Sequence, residues 1–349
     1  MRVRKVSILA ALIAVLLLLL SVAACGNDTQ TSDTSSADQS PQSILEAAAT
    51  AQQNATSAQG TFKVEASFDV DSAQLPEEAK SLLDKPMSLA GTFAFGTDPQ
   101  LLADATLDLS MAGETLNMGI KSLTDKAWLC FSDQWYEAPA ELQDALRDSA
   151  GTKIDVTQIK ETLAGLGIDP SAWLKDLRLA GEETVDGTKC YHLTGTPDLT
   201  KMTTDLTRVS QDQDAMKQLD PKGTSSDLMQ GNPLAPDAEK SQEMQQLAQT
   251  IQNPTADIWI AKDSMLLAKF TANGRIVPPA DEETGGLNAI TVTVDASLHD
   301  VNKPVTVEAP TAAQPWTALE KAMQENPGAI LGPLAGILGM AGAMVPSAN

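Results

Sequence analysis

The chain has 349 residues, 46 acidic and 24 basic, giving a net charge of −22 with histidines neutral. That balance argues against nucleic acid as a partner and against electrostatic docking on anionic lipid headgroups. Aromatics make up only 4% of residues while methionines number 12, so the expected core is one of small, flexible side chains, which also suit an adaptable apolar cavity.

The N-terminus reads "MRVRKVSILAALIAVLLLLLSVAAC". Arg2, Arg4 and Lys5 precede an uncharged run from Val6 to Ala24, the pattern of a secretory signal. Val22-Ala23-Ala24-Cys25 resembles a bacterial lipobox. The resemblance implies diacylglycerol on the Cys25 sulfur and cleavage before Cys25, so residues 1–24 form a lipoprotein signal peptide. An uncleaved membrane anchor is the alternative, since the run is just long enough for a thin span. Both readings place the protein at the extracytoplasmic face of a bacterial cell membrane. Removing three of 24 basic residues leaves 21 against 46 acidic ones, a mature net charge of −25. Attached acyl chains of the palmitate class anchor firmly, because each buried methylene contributes about 0.8 kcal/mol. Residues 25–41 carry no apolar side chain larger than alanine apart from Cys25 and read as a flexible tether.

The spacing then predicts a helix over 42–58, with Ser40 as N-cap. In "TFKVEASFDV" the period changes to two, with Phe62, Val64, Ala66, Phe68 and Val70 on one face. "AQLPEEAKSLLDKP" reads as a short amphipathic helix or lid-like loop. Alternating strands follow: Met87, Leu89, Phe93 and Phe95 share a face, then Ala105, Leu107, Leu109 and Met111, then Leu116, Met118 and Ile120. Ala112-Gly113 marks the turn before the last of these, and "KAWLCFSDQWYEAP" reads as a hairpin turning at Ser132-Asp133-Gln134. Short connections between alternating strands imply an antiparallel meander, apolar on one face and polar on the other.

"APAELQDALRDSA", "DVTQIKETLAGLG" and "DPSAWLKDL" read as a helical block, the third opened by Asp169-Pro170. A hairpin with Asp186-Gly187 at its turn comes next, then a helix in "DLTKMTTDLTRVS". Residues near 210–240 look like a poorly ordered polar insertion, and "PDAEKSQEMQQLAQTIQN" a helix leading out of it. Strands return in "ADIWIAKDSMLLAKFTANGRI", with Asn273-Gly274 at a turn, in "LNAITVTVDASLHD" and in "KPVTVEAP". Residues 311–349 read as a tail whose segment 328–345 carries no charge, five glycines and Pro333, too short and broken for a membrane span.

This order of elements, with the phrases "WLCFSDQWYEAP", "EETVDGTKCYHLTGTPDL", "ADIWIAKDSMLLAKF" and "DVNKPVTVEAP", resembles the LppX/LprG-type lipoproteins of actinobacterial envelopes, related in fold to LolA and LolB. The resemblance covers roughly residues 42–310, and the apolar tail departs from it. It implies an α+β fold: a curved antiparallel β half-barrel whose concave apolar face is covered by helices. The space between accepts acyl chains of a membrane lipid or lipoglycan for carriage or presentation, with a membrane transporter as a further candidate partner. No cofactor and no metal come with the family. The candidate lining is Phe62, Val64, Phe68, Leu89, Phe93, Leu107, Leu109, Leu116, Met118 and Ile120. Those residues equally suit plain core packing. An envelope-tethered sensing or protein-docking module with no lipid cargo is the alternative function.

Cys130 and Cys190 are expected to pair in an oxidising compartment. A bridge closing that loop contributes roughly 4 kcal/mol in the chain-entropy model. Two separate buried thiols are the alternative. Catalysis is not expected: there are only two histidines, His192 and His299, and no recognised nucleophile or metal motif. His192 lies two residues from Cys190, but a Cys–His nucleophile pair would be disabled by a disulfide.

Overall fold

The computed structural model describes residues 40–71, 73, 80, 83–96, 102–144, 156–219, 245–246, 248–278 and 286–325. The signal segment, Cys25, the tether, most of the 73–86 segment, residues 220–244 and the apolar tail lie outside the described residues. Two compact units are present.

The first unit contains β1 (Ser57–Val70), β2 (Met87–Gly96), β3 (Leu102–Met111), β4 (Glu114–Ser122), β5 (Ala127–Phe131), β6 (Gln134–Glu137), β11 (Leu287–His299), β12 (Gln314–Pro315) and the helix α5 (Trp316–Glu325). Its strands hydrogen-bond in the order β12-β6-β5-β4-β3-β2-β1-β11. All pairs are antiparallel except β12 with β6. The meander forms because its turns suit it. Ala112 and Gly113 have φ of 54° and 88°, and Ser132 and Asp133 have 48° and 64°. Two successive left-handed residues match the twist of paired strands.

The second unit contains α1 (Pro41–Gln53), α2 (Val156–Gly165), a 3-10 turn (Pro170–Trp173), β7 (Leu174–Val185), β8 (Thr188–Pro197), α3 (Leu199–Gln211), α4 (Gln213–Leu219), β9 (Ile251–Ala261) and β10 (Leu267–Ile276). Its strands run β10-β9-β8-β7, all antiparallel. Asp186 and Gly187, at φ 48° and 81°, make the expected β7–β8 turn. The protein is thus α+β, its strands antiparallel as the family resemblance implies.

Several boundaries differ from the sequence reading. Ser40 caps α1, its hydroxyl accepting from the Ser43 amide at 3.1 Å, but the helix ends at Gln53 and β1 begins at Ser57. The extra residues pair with β2, Ser57 opposite Gly96. Asp169 accepts from the Ser171 amide at 2.9 Å, yet that helix is only the 3-10 turn, after which the chain enters β7. Asn273-Gly274 is no turn: it lies inside β10 at a register shift, where Asn273 donates to the Thr255 hydroxyl at 2.7 Å. The β9–β10 connection instead turns at Met265, φ 55°. Within the presumed insertion, Gln213–Leu219 is helical. Ile251 begins β9 rather than ending a helix. "KPVTVEAP" forms no strand, although Val307 is buried and the Ser57 hydroxyl donates to the Lys303 carbonyl at 2.6 Å. Beyond Pro310 the chain adds β12 and α5, whose Leu319 is buried.

The second unit closes its apolar face. Leu193, Ile258, Ile260 and Phe270 sit side by side across β8, β9 and β10 and are buried. A neighbouring cluster gathers Ile168, Trp173 and Met202, flanked by Leu163, Leu166 and Leu206. At its centre lies a buried charge. The Trp173 indole donates to Asp205 Oδ2 at 2.7 Å, and Lys201 Nζ reaches the same oxygen at 2.9 Å. Asp205 is only 2% exposed, a burial tolerated because Lys201 matches its charge and its Oδ2 accepts two hydrogen bonds.

On the opposite face of these strands, His192 stacks on Trp259 with ring centres 4.5 Å apart. Its Nδ1 lies 2.9 Å from Glu183 and its Nε2 2.9 Å from Asp257. The Trp259 indole donates to the other Glu183 oxygen at 2.9 Å. Hydrogen bonds from Trp259 and His192 hold the Glu183 carboxyl below the usual carboxylate range.

Asp205→Ala strands the buried Trp173 N–H, so urea unfolding should show a loss of about 1–3 kcal/mol, with Asp205→Asn losing less because an acceptor remains. Glu183 has a depressed folded pKa. Its contribution is therefore present above the unfolded value of about 4.3 and disappears as pH falls through the folded one. Glu183→Gln should lower Tm at pH 7, and the gap to the parent should close on acidification below about pH 4.

Candidate functional site

Strand register brings the apolar residues of the first unit into rows. Val64, Leu89, Leu109 and Leu116 lie directly opposite one another across β1, β2, β3 and β4. The next row runs Phe62, Gly91, Leu107, Met118 and Phe131, from β1 to β5. The third runs Gly60, Phe93, Ala105, Ile120, Leu129 and Tyr136, ending on β6. Nine of the ten lining candidates therefore share one continuous patch. Phe68 is on the same face of β1 but lies past the end of β2, opposite Ile290 of β11.

Burial separates the rows. Val64, Leu89, Leu109 and Leu116 are all between 2% and 4% exposed, so they serve as core. Phe62, Leu107, Met118 and Phe131 are half-buried, as are Phe93, Ile120 and Leu129. Across five strands spaced about 4.8 Å apart, this incompletely covered band is about 19 Å wide. Its lining from β5 and β6 (Leu129, Phe131, Tyr136) went unnamed among the sequence candidates. The alternation in "AWLCF" carried that signal in a run too short to stand out.

Two glycines shape the band. A Cβ on Gly91 would lie 2.8 Å from the Phe62 ring, and one on Gly60 would lie 2.6 Å from the Phe93 ring. Each phenylalanine ring thus occupies the place that a side chain on the glycine opposite it would take. Those Cβ atoms would also collide with the carbonyls of Thr106 and Ser297, so the neighbouring strands approach closer there than a side chain allows. The result is a low aromatic floor at β1 and β2. Interior glycines were the available sequence signal, and they gain meaning only from the residue paired across the strand.

The other face of these strands is polar and tied across its ladder. Thr92 and Thr106 hydroxyls meet at 2.9 Å, Ser110 and Thr115 at 2.9 Å, and Asn117 donates to Asp108 at 2.6 Å. Lys121 pairs with Asp104 beside them. From β2 to β4 one face is water-adapted and the other is not, which sets the band apart as the candidate site; on β5 the reverse face instead buries Trp128 and Cys130.

The expected Cys130–Cys190 disulfide is corrected: both are free thiols. Cys130, on β5, is buried between its partners Gly119 and Trp135, while Cys190, on β8, is buried between Glu183 and Ala261. They belong to different units. Burial raises the pKa of both, reinforced by Asp133 at Cys130. Cys190 donates to the Thr188 carbonyl at 3.4 Å, and both His192 nitrogens face carboxylates, so the two side chains do not form a nucleophile pair. Among the described residues, no group of histidine, cysteine, aspartate and glutamate is placed to hold a metal, and no helix is long and apolar enough to cross a membrane.

No family model and no curated protein matches the chain. Among solved structures, it is similar to the Mycobacterium tuberculosis lipoprotein LppX, at 16% identity and a TM-score of 0.33, over 77% of this chain and 98% of that one. It is similar to LprF from Mycobacterium bovis at 13% identity and a TM-score of 0.35, over 78% and 97% of the two chains. A further likeness is to the Pseudomonas aeruginosa MucA/MucB complex, at 12% identity and a TM-score of 0.26, over 78% of this chain and 64% of that one.

Proposed function

We propose that the protein is a cell-envelope lipoprotein, anchored through acylated Cys25, that binds acyl chains of a lipid or lipoglycan on the apolar band of β1–β5. The observation that carries this reading is the half-buried state of Phe62, Phe93, Leu107, Met118 and Ile120 on a continuous face backed by a fully buried row. A plain core would have closed over all of them, as the second unit closes over Leu193 and Ile260. Moving a 16-carbon chain from a bilayer into water costs about 13 kcal/mol at roughly 0.8 per methylene, so a carrier has to offer a dry, linear surface of this kind. The domain catalyses nothing in this role; it holds cargo, and the polar tether keeps it near the bilayer despite its acidity.

Native mass spectrometry of the mature, non-acylated chain tests the reading. Met118 is the right probe: Leu109 is buried, and truncating a buried leucine costs about 2–5 kcal/mol, which would confuse unfolding with lost binding. Co-purifying lipid is expected on the parent chain and on Lys63→Glu, a change on the polar face, and is expected to be lost from Met118→Glu. A chain that emerges ligand-free and transfers no lipid between vesicles would instead favour a docking module without cargo.

A further inference from the structure

We propose that Ser122 is the polar anchor of the band, its hydroxyl donating to the carbonyl oxygen of a neutral acyl ester whose hydrocarbon tail lies over Ile120 and Met118. The inference deepens the lipid-binding reading above and rests on it.

Alternation along β4 puts Ser122 on the band face, in line with Ile120, Met118 and Leu116. Its row crosses the sheet as Ala58, Phe95, Ala103, Ser122 and Ala127, from β1 to β5. Ala58 and Ala127 are buried, whereas Phe95 and Ala103 are half-buried. This row is therefore incompletely covered over β2 and β3, directly beside Ser122. Phe95 stacks there on Phe93 of the band, with ring centres 6.4 Å apart. In the other direction the band ends at buried Leu116. The six residues of β4 from Ser122 to Leu116 span about 20 Å, a length comparable to an extended long-chain acyl tail.

Ser122 is 7% exposed, and among the described residues its hydroxyl has no hydrogen-bond partner. Other hydroxyls of this unit are matched. Thr61 meets Ser297 at 2.9 Å, Thr92 meets Thr106, Ser110 meets Thr115, and Ser57 donates to the Lys303 carbonyl. A hydroxyl held mostly out of water costs free energy unless an acceptor faces it. Along its own strand the band face offers Ser122 only apolar side chains, so a ligand in the band is what supplies the acceptor.

Charge decides which acceptor. Ser122's row carries no ionisable side chain. Lys121 and Asp104 stand next to it in sequence and register but project from the reverse face, paired with each other. A carboxylate would enter this row without a cation to offset its desolvation, whereas an ester carbonyl needs only one donor.

Diphenylhexatriene, a hydrocarbon fluorophore, reports occupancy of the band on the full mature, non-acylated chain, and competing ligands displace it. Methyl hexadecanoate is expected to displace it from the parent at lower concentration than octadecane, the chain of equal length without oxygen. Ser122→Ala should weaken methyl hexadecanoate about threefold to tenfold, as the loss of one neutral hydrogen bond predicts, and leave octadecane within about twofold. A variant that weakens both ligands alike, or neither, would overturn the anchor while leaving lipid binding intact. A parent that prefers the hexadecanoate anion to its methyl ester would overturn the assignment of a neutral ester. A parent that takes up neither the fluorophore nor any of these ligands would overturn the lipid reading and the anchor with it.

Discussion

The reciprocal pairing of Phe62 with Gly91 and of Gly60 with Phe93 pins β1 to β2, and the rest of the first unit is arranged around it. Each ring can sit where it does only because the residue opposite has no side chain, and each glycine is required because a neighbouring carbonyl crowds the position where Cβ would stand. A slip of one residue would place Lys63 or Thr61 over the glycines and turn the whole apolar set toward solvent. Register, floor and band are therefore consequences of a single interdigitation. The polar pairs on the reverse face, such as Thr92 with Thr106 and Asn117 with Asp108, agree with the same register and reinforce it.

The second unit meets the same requirement differently. Its apolar strand residues are buried, and its loops are gathered by the Trp173–Asp205 hydrogen bond. That bond joins the 3-10 turn to α3 at a point where neither partner has access to water. Its satisfaction by Lys201 is what makes a carboxylate in that position tolerable. A closed core in one unit and an incompletely covered face in the other is the contrast on which the proposed function turns.

Turns were legible because their chemistry is local. Asp186, Gly187 and Gly113 adopt the positive φ values that their residue types tolerate, and Ala112 joins Gly113 in the same two-residue turn. Asn273-Gly274 has the same local character and yet sits within a strand, because pairing with Thr255 and Ile251 continues through it at a register shift. Trp173 shows the opposite case. The segment after Asp169-Pro170 is amphipathic enough for a helix, but burial of the indole against Asp205 and the pairing of Leu174 with Pro197 draw the chain into β7. In each miss a partner distant in sequence outweighed a local preference.

Sequence alone determined which side chains share a face. Alternation is a property of the strand itself, and nine of ten candidate residues therefore met in adjacent rows. It also determined the acidity and the basic, then apolar run that ends at Cys25. Only the tertiary structure decided that Leu109 is core while Leu107 is half-open, that Phe62 packs over Gly91, and that Cys130 and Cys190 are free thiols. Those outcomes depend on which strands pair and how closely their backbones approach. Such contacts join residues tens of positions apart, and no local pattern encodes their distance.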